Sequence, residues 1–168
     1  MMVFLSNKVM NDKYIPTDKL IITSGIERCN KYERYIKDDD LISFIEYIKT
    51  QSSEPDMDNW YVMKVIINRL VRWDCDWKTY YYGRCIANSN NPLYEQVKGC
   101  YPKLSFNVCN DKDLILLSRI KMILYEEPCT PYLRKDVLYF HSHKENNIGH
   151  PFHPHKEVMR LRHKFYRE

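Results

Sequence analysis

The residues of this 168-residue chain whose types and spacing could do chemistry fall into a few short stretches. All six histidines lie between His141 and His163, with His150, His153 and His155 in the run HPFHPH. Closely spaced imidazoles suit zinc. Pro151 and Pro154 stiffen that run, however, and zinc ligands at such spacing usually sit on helices or share cysteine partners, so a polar loop that titrates in mild acid is the plainer reading. The stretch WDCDWKTYYYGR sets Trp73, Trp77, Tyr80, Tyr81 and Tyr82 among Arg72, Lys78 and Arg84. Such a stretch can stack sugars or single-stranded nucleic acid, or it can divide its rings between a core and a protein interface. Cys85 or Cys109 with His141 could form a nucleophile–base pair, although no local residue marks either thiol as activated. The six cysteines are scattered without a CxxC, which predicts free, partly buried thiols in a reducing compartment, with a disulfide framework as the alternative.

The elements that must position these groups are mainly helical. DLISFIEYIKT begins after Asp38-Asp39-Asp40, three carboxylates suited to capping a helix N-terminus, and repeats Leu41, Phe44, Ile45 and Ile48 at helical spacing. The break QSSEPDMD carries Pro55, and the residue before a proline disfavours helix. NWYVMKVIINRLVR then places Trp60, Met63, Ile67, Leu70 and Val71 on one predicted stripe. At its end Asn68-Arg69 reads as a pair that binds backbone carbonyls. A short helix is expected near Trp73–Arg84, and a turn at Asn88–Pro92. A third clear helix is predicted from Asn110 or Asp111 to about Glu127, stopped by Pro128. VLYFHS over 137–142 is expected to be extended. Residues 1–37 read as an arm containing the extended candidate KLIITSG, and 38–168 as one domain.

Composition narrows the class. Hydrophobic residues make up 44% and charged residues 29% of the chain, as in a globular protein. Four glycines are too few for a glycine-rich phosphate loop, and fourteen tyrosines suit interfaces. The net charge of +4 assists contact with an anionic surface such as peptidoglycan or nucleic acid but specifies neither. The start MMVFLSNKVMNDK lacks a basic n-region and a sufficient apolar run, and no stretch approaches a membrane span. We therefore expect synthesis and assembly within a cytoplasm, with no membrane partner.

Four segments follow one another in a telling order: Ile67-Asn68-Arg69, then NDKDLILLSRIKMIL, VLYFHSHK and RLRHKFYRE. In that order and spacing, residues 38–168 resemble the SleB-type, spore-cortex-lytic cell wall hydrolases. The resemblance implies a lysozyme-like fold, mostly α with minor β, and cleavage of peptidoglycan glycan strands. The family's acid ends its first helix in a Glu-Ala-Arg-Gly-Glu stretch. Here that place falls on Lys49 or Thr50, and the following residues read Gln51-Ser52-Ser53-Glu54. Glycan cleavage needs a protonated carboxylic acid at the scissile oxygen. Glu46 and Glu54 are the nearby candidates, but each would require a shift of about one helical turn, roughly 5 Å. The expectation is a domain of this fold that has lost its acid and serves as a structural part of a bacteriophage particle. It would form a neck or tail ring or connector, assemble as a homo-oligomer, contact other virion proteins and need no cofactor. The alternatives are an active peptidoglycan glycosidase or lytic transglycosylase using Glu46 or Glu54, and a nucleic-acid-contacting protein using the aromatic–basic stretch.

Overall fold

The fold, a computed structural model, describes residues 29–81, 104–142 and 156–168. The chain divides into two units, Met1–Asn30 and Lys31–Glu168, so the second unit starts before the expected arm ends. Residues 31–37 belong to it because they are fastened there. Lys31 N donates to Leu124 O, Trp77 N donates to Tyr35 O, and Ile36 is fully buried. KLIITSG, the turn at Asn88–Pro92 and the HPFHPH run lie outside the described residues.

Within the second unit the described elements are mixed α and β. A 3₁₀ turn, Asp38–Asp40, leads into α1, Leu41–Gln51; α2, Met57–Arg72, and α3, Trp77–Tyr81, follow. Then come α4, Asp111–Leu124, and three strands: β1, Val137–Ser142, β2, Lys156–Arg160, and β3, His163–Arg167. The strands form one antiparallel sheet in the order β1-β3-β2. The last two strands carry the charge-rich KEVMR and HKFYR, whose alternation is too weak to read as β without a sheet to join.

Helix ends follow local chemistry, with corrections. Asp40 does not cap α1; its Oδ2 accepts from Lys37 N at 2.9 Å and closes the 3₁₀ turn instead. Asp56 caps α2 by accepting from Asn59 N, so that helix begins at Met57, ahead of Asn59. Asn110 caps α4 by accepting from Lys112 N and Asp113 N. α4 stops at Leu124, before Pro128. Glu126 turns left-handed at φ 51°, Glu127 N donates to Met122 O, and Glu126 N donates to Ile123 O. α2 ends the same way, with Asp74 at φ 47° and Cys75 N donating to Leu70 O. These are Schellman closures in which acidic residues take the position glycine usually fills.

The core lies between α1, α2, α4 and the sheet. It contains Phe44, Ile45 and Ile48, then Val62, Met63, Ile66 and Leu70, and Leu116, Ile120, Val137, Phe140 and Phe165. The stripe on α2 is broader than predicted: Val65 and Ile66 are buried, Trp60 is half-buried, and Val71 is exposed. Val71 lines a small surface groove with Tyr32, Asn68, Arg72 and Lys135.

The junction of α2 with β1 rests on Asn68 and Arg69. Asn68 Nδ2 donates to Arg134 O at 2.9 Å and Val137 O at 3.1 Å. In the register, Val137 pairs with Arg167 and Tyr139 with Tyr166, so Leu138 is the extra residue of a β-bulge. Arg69 Nε takes the Leu138 carbonyl at 2.6 Å, and Nη1 donates to Tyr80 Oη at 2.9 Å. Arg69 is fully buried, with its guanidinium 5.1 Å from the Phe140 ring centroid and 5.8 Å from that of Trp73, while Nη2 has no acceptor among the described residues. β2 bulges across the same step of β3, at Val158, so both flanking strands bend opposite Phe165-Tyr166.

Replacing Arg69 by Ala strands two buried acceptors and opens a cavity, which should cost roughly 3 kcal/mol or more in urea unfolding. Arg69→Lys keeps the charge but cannot fork between the Leu138 carbonyl and the Tyr80 hydroxyl, and should lose about 1–2 kcal/mol.

Candidate functional site

The place that the resemblance assigns to an acid is the C-terminal end of α1. Lys49 Nζ donates to Asp113 Oδ2 at 2.9 Å and to Ser105 O at 2.7 Å. Asp113 Oδ2 also accepts from Asn107 N at 2.8 Å, so the ammonium, the carboxylate and the 105–107 backbone close on one another. The side chains of Lys49 and Asp113 are 15% and 3% exposed. Thr50 Oγ1 donates back to Tyr47 O at 2.6 Å. Glu46 Oε2 accepts from Phe106 N at 2.9 Å. Glu54 lies at the surface in an ion pair with Lys112 Nζ at 2.9 Å. Each of these carboxyls is met by an N–H or an ammonium, whereas glycoside cleavage requires a carboxylic acid in a partly apolar site facing the substrate.

The break between α1 and α2 is the most heavily fastened polar region among the described residues. Asp58, with a side chain 2% exposed, accepts Ser52 Oγ at 2.8 Å, His163 N at 2.7 Å and His163 Nδ1 at 2.7 Å. Arg162 reaches Asp56 through Nε at 2.8 Å and Nη2 at 3.0 Å, and Nη2 donates to Ser52 Oγ at 2.9 Å. From the other side, Arg119 donates to Pro55 O at 2.8 Å, Asp56 O at 2.7 Å and Asn59 Oδ1 at 3.2 Å, and lies over the Trp60 ring at 4.6 Å. Asn59 Nδ2 donates to Ser52 O at 2.6 Å.

The electrostatics follow from these contacts. Burial pushes the Asp58 carboxyl up, but hydrogen bonds from His163 and Ser52 and the charge of His163 outweigh it and hold the group below its usual value. Asp56 is also lowered, chiefly by the Arg162 hydrogen bond.

Ser52, Asp58 and His163 have the composition of a nucleophilic triad but not its connectivity. In a triad the imidazole stands between hydroxyl and carboxylate. Here Ser52 Oγ and His163 Nδ1 both donate to the same Asp58 oxygen. The Ser52 hydroxyl is bonded to the carboxylate itself, so no imidazole stands beside it as the base of a triad.

The remaining candidates divide as follows. Trp77 and Tyr80 are 1% and 0% exposed, so neither offers a face for sugars or bases; Trp73 and Tyr81 are half-buried. Burial follows from packing, since Phe44 and Tyr47 meet Trp77 edge-on at 5.1 and 5.4 Å and Trp77 stacks on Tyr80 at 5.7 Å. Tyr82, Cys85, His143, His150, His153 and His155 lie outside the described residues. His141 is buried, with Nε2 2.8 Å from Tyr166 Oη, whereas Cys109 is exposed and shares no hydrogen bond with it. Among the described residues no group of three or more His, Cys, Asp or Glu could hold a metal ion, and no helix is long and apolar enough to cross a membrane.

Sequence reasoning missed the Ser52–Asp58–His163 cluster. Its members are separated by up to 111 positions along the chain, from Ser52 to His163, and none has a marked local signature. Compared with known proteins, the chain matches no family model, no curated protein and no solved structure at significant similarity.

Lys49→Met should leave Asp113 charged in a nearly dry site and cost about 3 kcal/mol, because breaking a buried pair strands its partner. Lys49→Met with Asp113→Asn should recover a large part of that loss. Urea unfolding of the four proteins in a double-mutant cycle measures the coupling.

Proposed function

We propose that this chain is a non-hydrolytic structural protein of a bacteriophage particle, a neck or tail ring or connector subunit built on a SleB-type, lysozyme-like domain. The observation that carries the loss of hydrolysis is the Lys49–Asp113 pair at the end of α1, where the resemblance calls for a carboxylic acid. An ammonium held by a buried carboxylate and a carbonyl cannot deliver a proton to a glycosidic oxygen while it maintains the packing of segment 104–107. Glu46 is occupied by the Phe106 amide and Glu54 is paired with Lys112 at the surface, so neither takes over.

Kinship with the hydrolases is supported by the order of the elements that carry the matching segments. These are α1, a break, α2 with Ile67-Asn68-Arg69 in its last two turns, α4 capped by Asn110, β1 and β3. A role in assembly draws support from large apolar side chains left at the surface, Met57 on α2, Leu114 and Ile115 on α4 and Val108 before it, which a subunit contact would cover.

The purified chain, incubated with peptidoglycan sacculi, should release no soluble muropeptides and clear no zymogram, and Glu46→Gln and Glu54→Gln should change nothing. Clearing that either substitution abolishes would overturn the reading in favour of an active glycosidase. Sedimentation of the full chain should show a closed oligomer or a complex with virion components.

A further inference from the structure

The break between α1 and α2 is held from two sides by two kinds of chemistry. On the α4 side Arg119 holds the backbone carbonyls of Pro55 and Asp56, which do not titrate. On the sheet side the bonds that Arg162 and His163 make to the break end on the Asp56 or Asp58 carboxylate, or on Ser52, which itself donates to Asp58. One fastening therefore depends on two carboxylates being ionised, and the other does not.

We propose that the β2–β3 turn, residues 161–163, is a strap across the break that acid releases locally while the sheet and helices stay folded. Asp58 is faced by His163 from β3, Arg162 from the turn, and Asp56 and Ser52 from the break. Arg119 of α4 reaches the same neighbourhood through Asn59 and the Asp56 carbonyl, and Glu54 adds its charge to the field at Arg162. Protonating Asp56 removes the partner of the Arg162 fork. Protonating Asp58 removes the acceptor of the His163 amide and ring and of the Ser52 hydroxyl. The rest of β3 is held away from these two carboxylates, by its pairing with β1 and the burial of Phe165 and Tyr166; its titratable contacts, Tyr166 with His141 and Arg167 with Asp136, lie on the β1 side. The α2–β1 junction through Asn68 and Arg69 ends on carbonyls. The turn can lift while its strand stays in place.

The sign follows from the direction of both shifts. Asp56 and Asp58 are held below their usual value in the folded chain. Their contribution is fully present above the ordinary carboxylate range and is lost as pH falls through the lowered folded values. The strap is closed near neutral pH and opens only as pH falls below the ordinary carboxylate range, through the lowered values of Asp56 and Asp58. The inference does not depend on the proposed function, since it needs only the fastening of the break.

The test is an amide NMR titration of the full chain from about pH 7 to about pH 2.5, which spans the carboxylate range. His163 and Asn59, whose amides donate to Asp58 and Asp56, should shift in a carboxylate transition while Ile66 and Phe165 keep their native positions. Hydrogen exchange at His163, corrected for its intrinsic rate, should accelerate relative to Phe165 by about tenfold per pH unit for each carboxylate that protonates. Asp58→Asn should abolish the His163 transition, and Glu54→Gln, which breaks the surface pair with Lys112 and removes a minor charge from the field at Arg162 but no bond to the strap, should preserve it. Should Asp58→Asn not fold, Ser52→Ala decides: it removes a bond that lowers Asp58 and should move the transition to higher pH. The inference fails if His163 responds only together with Ile66 and Phe165 in global unfolding, or not at all. It also fails if the response survives Asp58→Asn or is unmoved by Ser52→Ala.

Discussion

A guanidinium buried without a counter-ion among the described residues is the constraint on which the rest of this structure depends. Burying a charge is costly unless its field is answered locally. Arg69 is answered by the Leu138 carbonyl, the Tyr80 hydroxyl and the faces of Phe140 and Trp73. Those four come from β1, α3 and the end of α2, so one side chain ties three elements together. The bulge at Leu138 is part of the same arrangement. Without the extra residue the ladder would leave no carbonyl turned toward α2 at that point. Asn68 completes the junction by taking the Arg134 and Val137 carbonyls, which gives the outer edge of the sheet side-chain partners in place of a further strand.

That junction sets β1, and β1 sets β3. Once β3 lies antiparallel beside β1, its first residue, His163, comes to the break between α1 and α2. The fastening of the break to the sheet is thus a consequence of the Arg69 junction at the far end of α2. Closure of the break by Arg162, His163 and Arg119 bears directly on function. A catalytic cleft needs groups that can reach a substrate and a carboxylic acid in a partly apolar site. In this region the carboxylates are bonded to neighbours, and the hydroxyl of Ser52 is spent on Asp58.

Much of the helical framework was legible in the sequence because it depends on near neighbours. Apolar spacing marked α1, α2 and α4, the β-branched and aromatic run marked β1 at 137–142, and a short helix was expected where α3 lies. Asn68-Arg69 was read as a carbonyl-binding pair, and it is one. The misreadings have local causes as well. Asp38-Asp39-Asp40 suits a helix cap by residue type, but the Asp40 carboxylate takes the Lys37 amide instead. Pro128 predicts the stop of α4, but the left-handed turn at Glu126 ends the helix first.

The candidate site divides along the same line. The sequence alone shows Lys49 and Thr50 at the end of α1, where the hydrolase family it resembles would carry an acid, because residue identity at a helical position needs no fold to be read. Only the tertiary structure decided that Lys49 is locked to Asp113, that Trp77 and Tyr80 are core and not platform, and that Ser52, Asp58 and His163 meet. These are contacts between residues far apart along the chain. Hydrophobic periodicity reports which face of an element is buried, but not which distant carboxylate, carbonyl or ring will lie against it once the elements have packed.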